Sequence, residues 1–227
     1  MSRAEEIEWT KNITGFDEPY PTSDDIRDWI INDGGVLEQD SLKIRRNKNP
    51  DQLGEILNNI HIINSVKKID LTSCIFPDNW STENIGKMRH LTELIIYNPA
   101  GGDPQPPADR LAGVRDAGVK TLILARCTFT KECWPAISTM DTLETLTLDR
   151  TITTEKFDDN DRQVATNSIC SLIRLGNLRT LNLRYCSRFN TDDQNEINDA
   201  ATETGCIISW APGTSTSVPR MPGEWRD

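Results

Sequence analysis

The sequence predicts an α/β fold made by stacking one short unit several times, a solenoid whose strands lie parallel in a single sheet. Three observations lead there. An apolar pattern recurs along most of the chain, its inner spacing has the period of a strand, and the intervals between copies are too long for hairpins. Counting the first apolar residue as place one, Val66, Ile69, Leu71 and Cys74 occupy places one, four, six and nine. Val119, Leu122, Leu124 and Cys127 repeat this, as do Leu178, Leu181, Leu183 and Cys186. Leu143, Leu146 and Leu148 end on Thr151, and Leu91, Leu94 and Ile96 on Pro99. Leu42, Ile44 and Asn47 form a degenerate copy before these, and Ile208 with Trp210 another after them. The copies start at 39, 66, 91, 119, 143, 178 and 205, at intervals of 27, 25, 28, 24, 35 and 27 residues. Places four and six are two apart, so in a strand both point to one face while places three, five and seven point to the other. Parallel strands need long crossovers, and every interval leaves room for a helix.

A period in this range, with Cys at place nine, resembles the leucine-rich-repeat superfamily. The subtype is similar to the cysteine-containing, ribonuclease-inhibitor-like repeats of F-box/leucine-rich-repeat proteins. The resemblance covers residues 39–213 and implies about six or seven repeats, with strands on a concave face and helices on a convex one. Residues 1–38 are expected to cap the N-terminal end and residues 214–227 to form an irregular tail. A solenoid exposes its core at both ends and needs such caps.

The elements follow in order. In the cap, Ser23 opens a helix through Asp24-Asp25, with Ile26, Trp29 and Ile30 inward and Gly34-Gly35 ending it. Asn49 caps a helix starting at Pro50-Asp51, with Leu53, Ile56, Leu57 and Ile60 on one stripe. Trp80 and Trp134 follow place nine by six and seven residues and should fill equivalent core slots. Pro99 to Pro107 reads as a surface loop. The stretch from Lys156 to Asp161 reads as an extra acidic loop in the longest interval. Its Asp158-Asp159-Asn160-Asp161 lacks the turn glycine and later Glu of a calcium loop. Val164, Ile169, Leu172 and Ile173 mark a helix after it. Thr191 opens the last helix before Asp192-Asp193, which buries Ile197, Ala200 and Ala201 and ends at Gly205. Trp225 in the tail either docks on the cap or meets a partner.

Composition bounds the chemistry. The 227 residues carry a net charge of −10, 36% are hydrophobic, and no apolar run is long enough to cross a bilayer. The start lacks the apolar core of a signal peptide, which predicts an intracellular protein, cytoplasmic or nuclear. The six cysteines include no C-x-x-C pair, so they are expected reduced rather than bridged or zinc-bound. His61 and His90 are the only bases of their kind, and neither sits in a nucleophile pattern. The expectation is a protein with no catalysis, no cofactor and no metal.

Places three, five, seven and eight carry seven cations and three anions, a balance of +4 on a chain of −10. Lys43, Arg45, Arg46, Lys68, Arg126, Arg150 and Arg184 are the cations, against Asp70, Glu93 and Asp149. Ile95, Tyr97, Ile123 and Ala125 form an apolar centre, and Tyr185 joins Arg184 at the far end. Aromatic and aliphatic residues ringed by Arg are the composition of an interface centre. The same residues also follow strand propensity. The predicted partner-binding residues are therefore Lys43, Arg45, Lys68, Ile95 and Tyr97, with Ile123, Arg126, Arg150, Arg184 and Tyr185. The predicted role is a scaffold, adaptor or assembly subunit that grips an acidic or mixed polar-apolar protein segment, without nucleic-acid binding or membrane insertion. The alternatives are a structural subunit buried in a large complex, and a ubiquitin-ligase substrate receptor with the F-box supplied in trans, since residues 1–38 are too short for that bundle.

Overall fold

Each copy of the pattern becomes one strand. The computed structural model describes residues 21–32, 35–46, 49–77, 81–97, 111–127, 133–149, 158–186 and 189–210. Strands β2 (Ser41–Arg45), β3 (Lys68–Thr72), β4 (Glu93–Tyr97), β5 (Thr121–Ala125) and β6 (Thr145–Asp149) span places three to seven. The strands β7 (Thr180–Asn182) and β8 (Ile207–Ser209) span places three to five. A further strand, β1 (Val36–Glu38), pairs antiparallel with β2 and extends the sheet to eight strands in sequence order. From β2 onward every pairing is parallel, and each place faces the same place on the next strand. The sheet is open, and the N-terminal hairpin was not among the expected elements.

Two hydrogen-bond rows extend the ladder beyond the strands. The place-two carbonyl of Asp40 accepts from Lys67 N at 2.7 Å and Lys68 N at 3.1 Å, and Lys67, Thr92, Lys120 and Glu144 repeat the arrangement. At the other end, place eight turns left-handed in Arg46, Ser73, Arg126 and Tyr185, with φ of 58°, 58°, 53° and 54°. That turn aims the Arg46, Ser73 and Arg126 amides at the place-seven carbonyls of Thr72, Tyr97 and Asp149. The conformation costs about 1 kcal/mol in a residue with a Cβ, which the recovered hydrogen bond offsets.

Six helices occur among the described residues: α1 (Ser23–Asn32), α2 (Pro50–Asn59), α3 (Ala112–Asp116), α4 (Trp134–Ile137), α5 (Asp159–Arg174) and α6 (Thr191–Thr204). Asn49 caps α2 as expected, its side chain accepting from Gln52 N. Gly205 ends α6 with φ 77°. Two helix starts differ from expectation by one residue. Thr22 rather than Ser23 exchanges hydrogen bonds with Asp25 at the head of α1. Asn190 rather than Thr191 caps α6 in a reciprocal box with Asp193. In both cases the residue that caps is the one whose partner three positions on closes the box, Asp25 for Thr22 and Asp193 for Asn190. The acidic stretch is also corrected. Asp158 caps α5 by accepting from Asp161 N at 2.8 Å, so Asp159 and Asp161 lie in its first turn, where carboxylates are favoured, rather than in a loop.

The crossovers are not uniformly helical. Between β3 and β4 the described residues contain only the 3-10 turn Ile85–Lys87, and α3 and α4 are one turn each. Close approach accompanies this shortness: a Cβ on Gly113 would lie 1.7 Å from the Thr82 carbonyl oxygen. Places four and six of β2 to β6, with Leu181 and Leu183, are all at most 3% exposed and join the inward helix residues in one continuous core. Each such Leu or Ile contributes about 1.5–3 kcal/mol by leaving water. Trp134 is fully buried, as its predicted core slot requires. The Trp80 slot, the Pro99–Pro107 loop, Arg150, and the tail with Trp225 lie outside the described residues. Among the described residues no helix is long and apolar enough to cross a membrane.

Candidate protein-binding face

The core occupies one side of the sheet, so places three, five and seven form the opposite, open face. β-branched residues suit such a half-covered pleat, and Thr121, Thr145 and Thr180 stand in one row at place three. The place-five row is the floor. Asp70, Ile95 and Thr147 are 5%, 8% and 7% exposed. Of the expected apolar centre, Ile95 and Ala125 are thus buried among their neighbours, whereas Tyr97 and Ile123 remain partly exposed.

The N-terminal part of the face neutralises its own charge. Lys43 Nζ lies 3.3 Å from Glu38 Oε2 on β1, Arg45 Nη2 lies 2.9 Å from Asp70 Oδ2, and Lys68 Nζ lies 2.8 Å from Glu93 Oε1. Asp70 also accepts from Thr72 Oγ1 at 2.6 Å. Three predicted partner-binding cations are therefore engaged internally. Two of these pairs follow the observed register: Lys68 and Glu93 share place three on adjacent strands, and Asp70 is the diagonal neighbour of Arg45. The Lys43 pair depends on β1, which the repeat pattern does not contain.

The C-terminal part differs. Asn182 Nδ2 donates to Thr147 Oγ1 at 3.0 Å across the floor. Arg184 is partly buried, makes no ion pair among the described residues, and has its Nε out of solvent with no acceptor. Tyr185, 43% exposed, and Arg126, partly exposed, stand at the rim where their left-handed turns place them. The structure thus brings Arg184 and Tyr185 together at one end, with Lys43, Arg45 and Lys68 at the other.

Along the N-terminal edge of the strands, place two holds a separate ion-pair row, Lys67 with Asp40 at 3.0 Å and Lys120 with Glu144 at 2.9 Å. The Lys120 hydrogen bond holds the Glu144 carboxyl below its ordinary range, and the charges of Lys120 and Arg179 add to this. On the core side, the place-nine thiols of Cys74, Cys127 and Cys186 donate to the place-six carbonyls of Ile44, Ile96 and Leu148, at 3.3, 3.7 and 3.1 Å. Burial pushes the Cys127 thiol up to about 12, so it is held protonated. The accessible chemistry of the open face is therefore hydroxyl, amide, phenol and guanidinium hydrogen bonding. Among the described residues no three of His, Cys, Asp and Glu meet in a way that would hold a metal ion. No protein-family model matches the chain, and no curated protein matches it significantly.

Proposed function

We propose that the chain is a leucine-rich-repeat solenoid of the cysteine-containing kind, acting without catalysis or cofactor as a protein-interaction module. Its open sheet face is read as the concave surface that grips a partner. The single observation that carries this reading is the unbroken same-place register from β2 to β8, which sets side chains from seven repeats in straight rows on the sheet face opposite the core. Such a surface suits an extended protein segment crossing many strands. Six free, buried cysteines support a place inside the cell.

The test is the double replacement Tyr97→Ala with Arg126→Ala, in protein first used to capture its partner from source tissue. Loss of at least about tenfold in affinity with an unchanged melting temperature is expected, since aromatic and Arg centres commonly carry such a share. Unchanged affinity would remove this face as the site. A second reading, a structural subunit held by its helices, draws on α6, where Asp192, Glu196, Asp199 and Glu203 are exposed and the helix has no basic residue. Crosslinking of the native assembly separates the two: links on the open face favour the module, links on α6 the subunit.

A further inference from the structure

At its C-terminal edge the sheet turns a row of backbone groups outward. Strand β8 pairs with β7 and with no other strand among the described residues. Ile207 N donates to Arg179 O at 2.9 Å and Ser209 O accepts from Leu183 N at 2.8 Å, so both residues aim their backbone groups at β7. Alternation along the strand points the others away from it: the Cys206 carbonyl, both groups of Ile208 and the Trp210 amide. The Cys206 amide is already taken by Ala201 O at 3.0 Å. An edge of this kind is a template for a further strand. Its side chains lack a neighbour too. Ile207 is 68% exposed, the most of any large hydrophobic residue described. Ile208 and Trp210 hold places four and six, which are closed in β2 to β6, yet both are partly exposed here.

The same end carries no charge among the described residues. Trp210 Nε1 donates to Asn198 Oδ1 at 3.0 Å, which fixes the side of α6 that lies beside β8. Helical spacing adds Thr191, Gln194 and Thr202 to that side, all uncharged. The acidic stripe of Asp192, Glu196, Asp199 and Glu203 is turned the other way, with Glu203 3.6 Å from Arg174 of α5. A net charge of −10 repels a second molecule wherever acids face it, and at this end they do not. In a chain of which 26% is charged, the uncharged end is the one place suited to meet its own copy.

We propose that the protein forms a two-fold dimer in which β8 pairs antiparallel with β8 of a second copy. The outward groups determine the register. With the axis at Ile208, the two Ile208 residues exchange both of their N–H···O=C bonds, and each Trp210 amide donates to the Cys206 carbonyl of the other copy. Ile207 then stands opposite Ser209 of the second copy on the open face, in the closely spaced kind of pair, while the two Ile208 side chains meet on the core side. Every outward group of both strands is paired, and two eight-stranded sheets become one. The dimer is independent of how the open face is read, and it sets two such faces side by side.

The test is sedimentation velocity on the full chain from about 1 µM to about 100 µM. The expected result is a doubling of mass across that range. Ile207→Lys puts a charge on each edge strand without entering the core, and should weaken the dimer at least about tenfold with an unchanged circular dichroism spectrum. Ile208→Pro removes the outward N–H and leaves the hydrogen bonds to β7 in place, so it should be monomeric. Tyr97→Ala with Arg126→Ala should stay dimeric, which separates this interface from the binding face. A chain ending at Trp210 should dimerise as the parent does. A monomeric parent, or a dimer that survives both edge variants, overturns the proposal. If the parent is monomeric and the chain ending at Trp210 dimerises, residues 211–227 are the cover of this edge; if the parent is monomeric and Ile207→Lys loses a captured partner, a foreign strand is. A dimer lost when the chain ends at Trp210 overturns the proposal as well, because the contact then lies in the tail.

Discussion

At the scale of single residues, His61 is the group whose protonation the fold resists. It lies in the 3-10 turn Ile60–Ile62, with Nδ1 buried and lacking an acceptor. Burial first, and the charge of Lys87 second, lower its pKa below the ordinary 6.5. The folded state keeps the ring neutral while the unfolded chain takes up a proton near pH 6.5, so the unfolded state binds more protons as pH falls. Stability is accordingly full above that pH and declines as pH drops through it toward the folded-state pKa. Urea midpoints measured from about pH 7.5 to about pH 5 should fall for the parent chain and flatten in His61→Gln; an identical slope in the variant would clear His61 of the effect. The place-nine cysteines show how far a single residue is legible. Their burial follows from position in the repeat. Their acceptors do not, because each thiol reaches a carbonyl 30 to 38 residues earlier, on the preceding strand.

At the scale of elements, α5 and α6 are joined by a buried charge. Asp193, 5% exposed, forms an ion pair with Arg162 of α5, whose Nε lies 2.8 Å from Oδ2, and accepts from Thr166 Oγ1 at 3.2 Å, while closing the capping box with Asn190 at 2.9 Å. Removing the carboxylate leaves Arg162 its exposed partner Asp159 and little else. Asp193→Ala should cost about 3–5 kcal/mol in urea unfolding, as breaking a buried pair does, and Arg162→Met in the same background should recover part of it. A loss below about 1 kcal/mol would mean that the helices dock by apolar contact alone. The start of α6 was displaced by one residue from expectation because Thr191 and Asn190 are both competent caps. The box partner, Asp193, sits three residues after Asn190 and selects it.

At the scale of the whole molecule, the sheet grows one strand at a time and each end needs a cover. Toward the C-terminal end α6 packs on α5, and β8 adds the last strand beyond β7. A chain ending at residue 189 loses both and uncovers the α5 flank of the core. Self-association in sedimentation velocity and a broadened thermal transition are expected for it; a monodisperse monomer with the parent's melting temperature would show that the inner repeats are self-sufficient.

The sequence by itself determined where seven of the eight strands lie and which of their faces is core, because both follow from apolar spacing within nine residues. It also determined the N-terminal cap of α2 and the end of α6, which depend on one side chain or one glycine. Only the tertiary structure decided which predicted contact residues are available. Lys43, Arg45 and Lys68 are joined to carboxylates on neighbouring strands, Ile95 is buried by its neighbours in the place-five row, and Arg184 is left without an ion pair among the described residues. The physical reason is range: strand and core assignment are local averages over many side chains, whereas neutralising a charge depends on one opposite group arriving within 4 Å from a distant part of the chain.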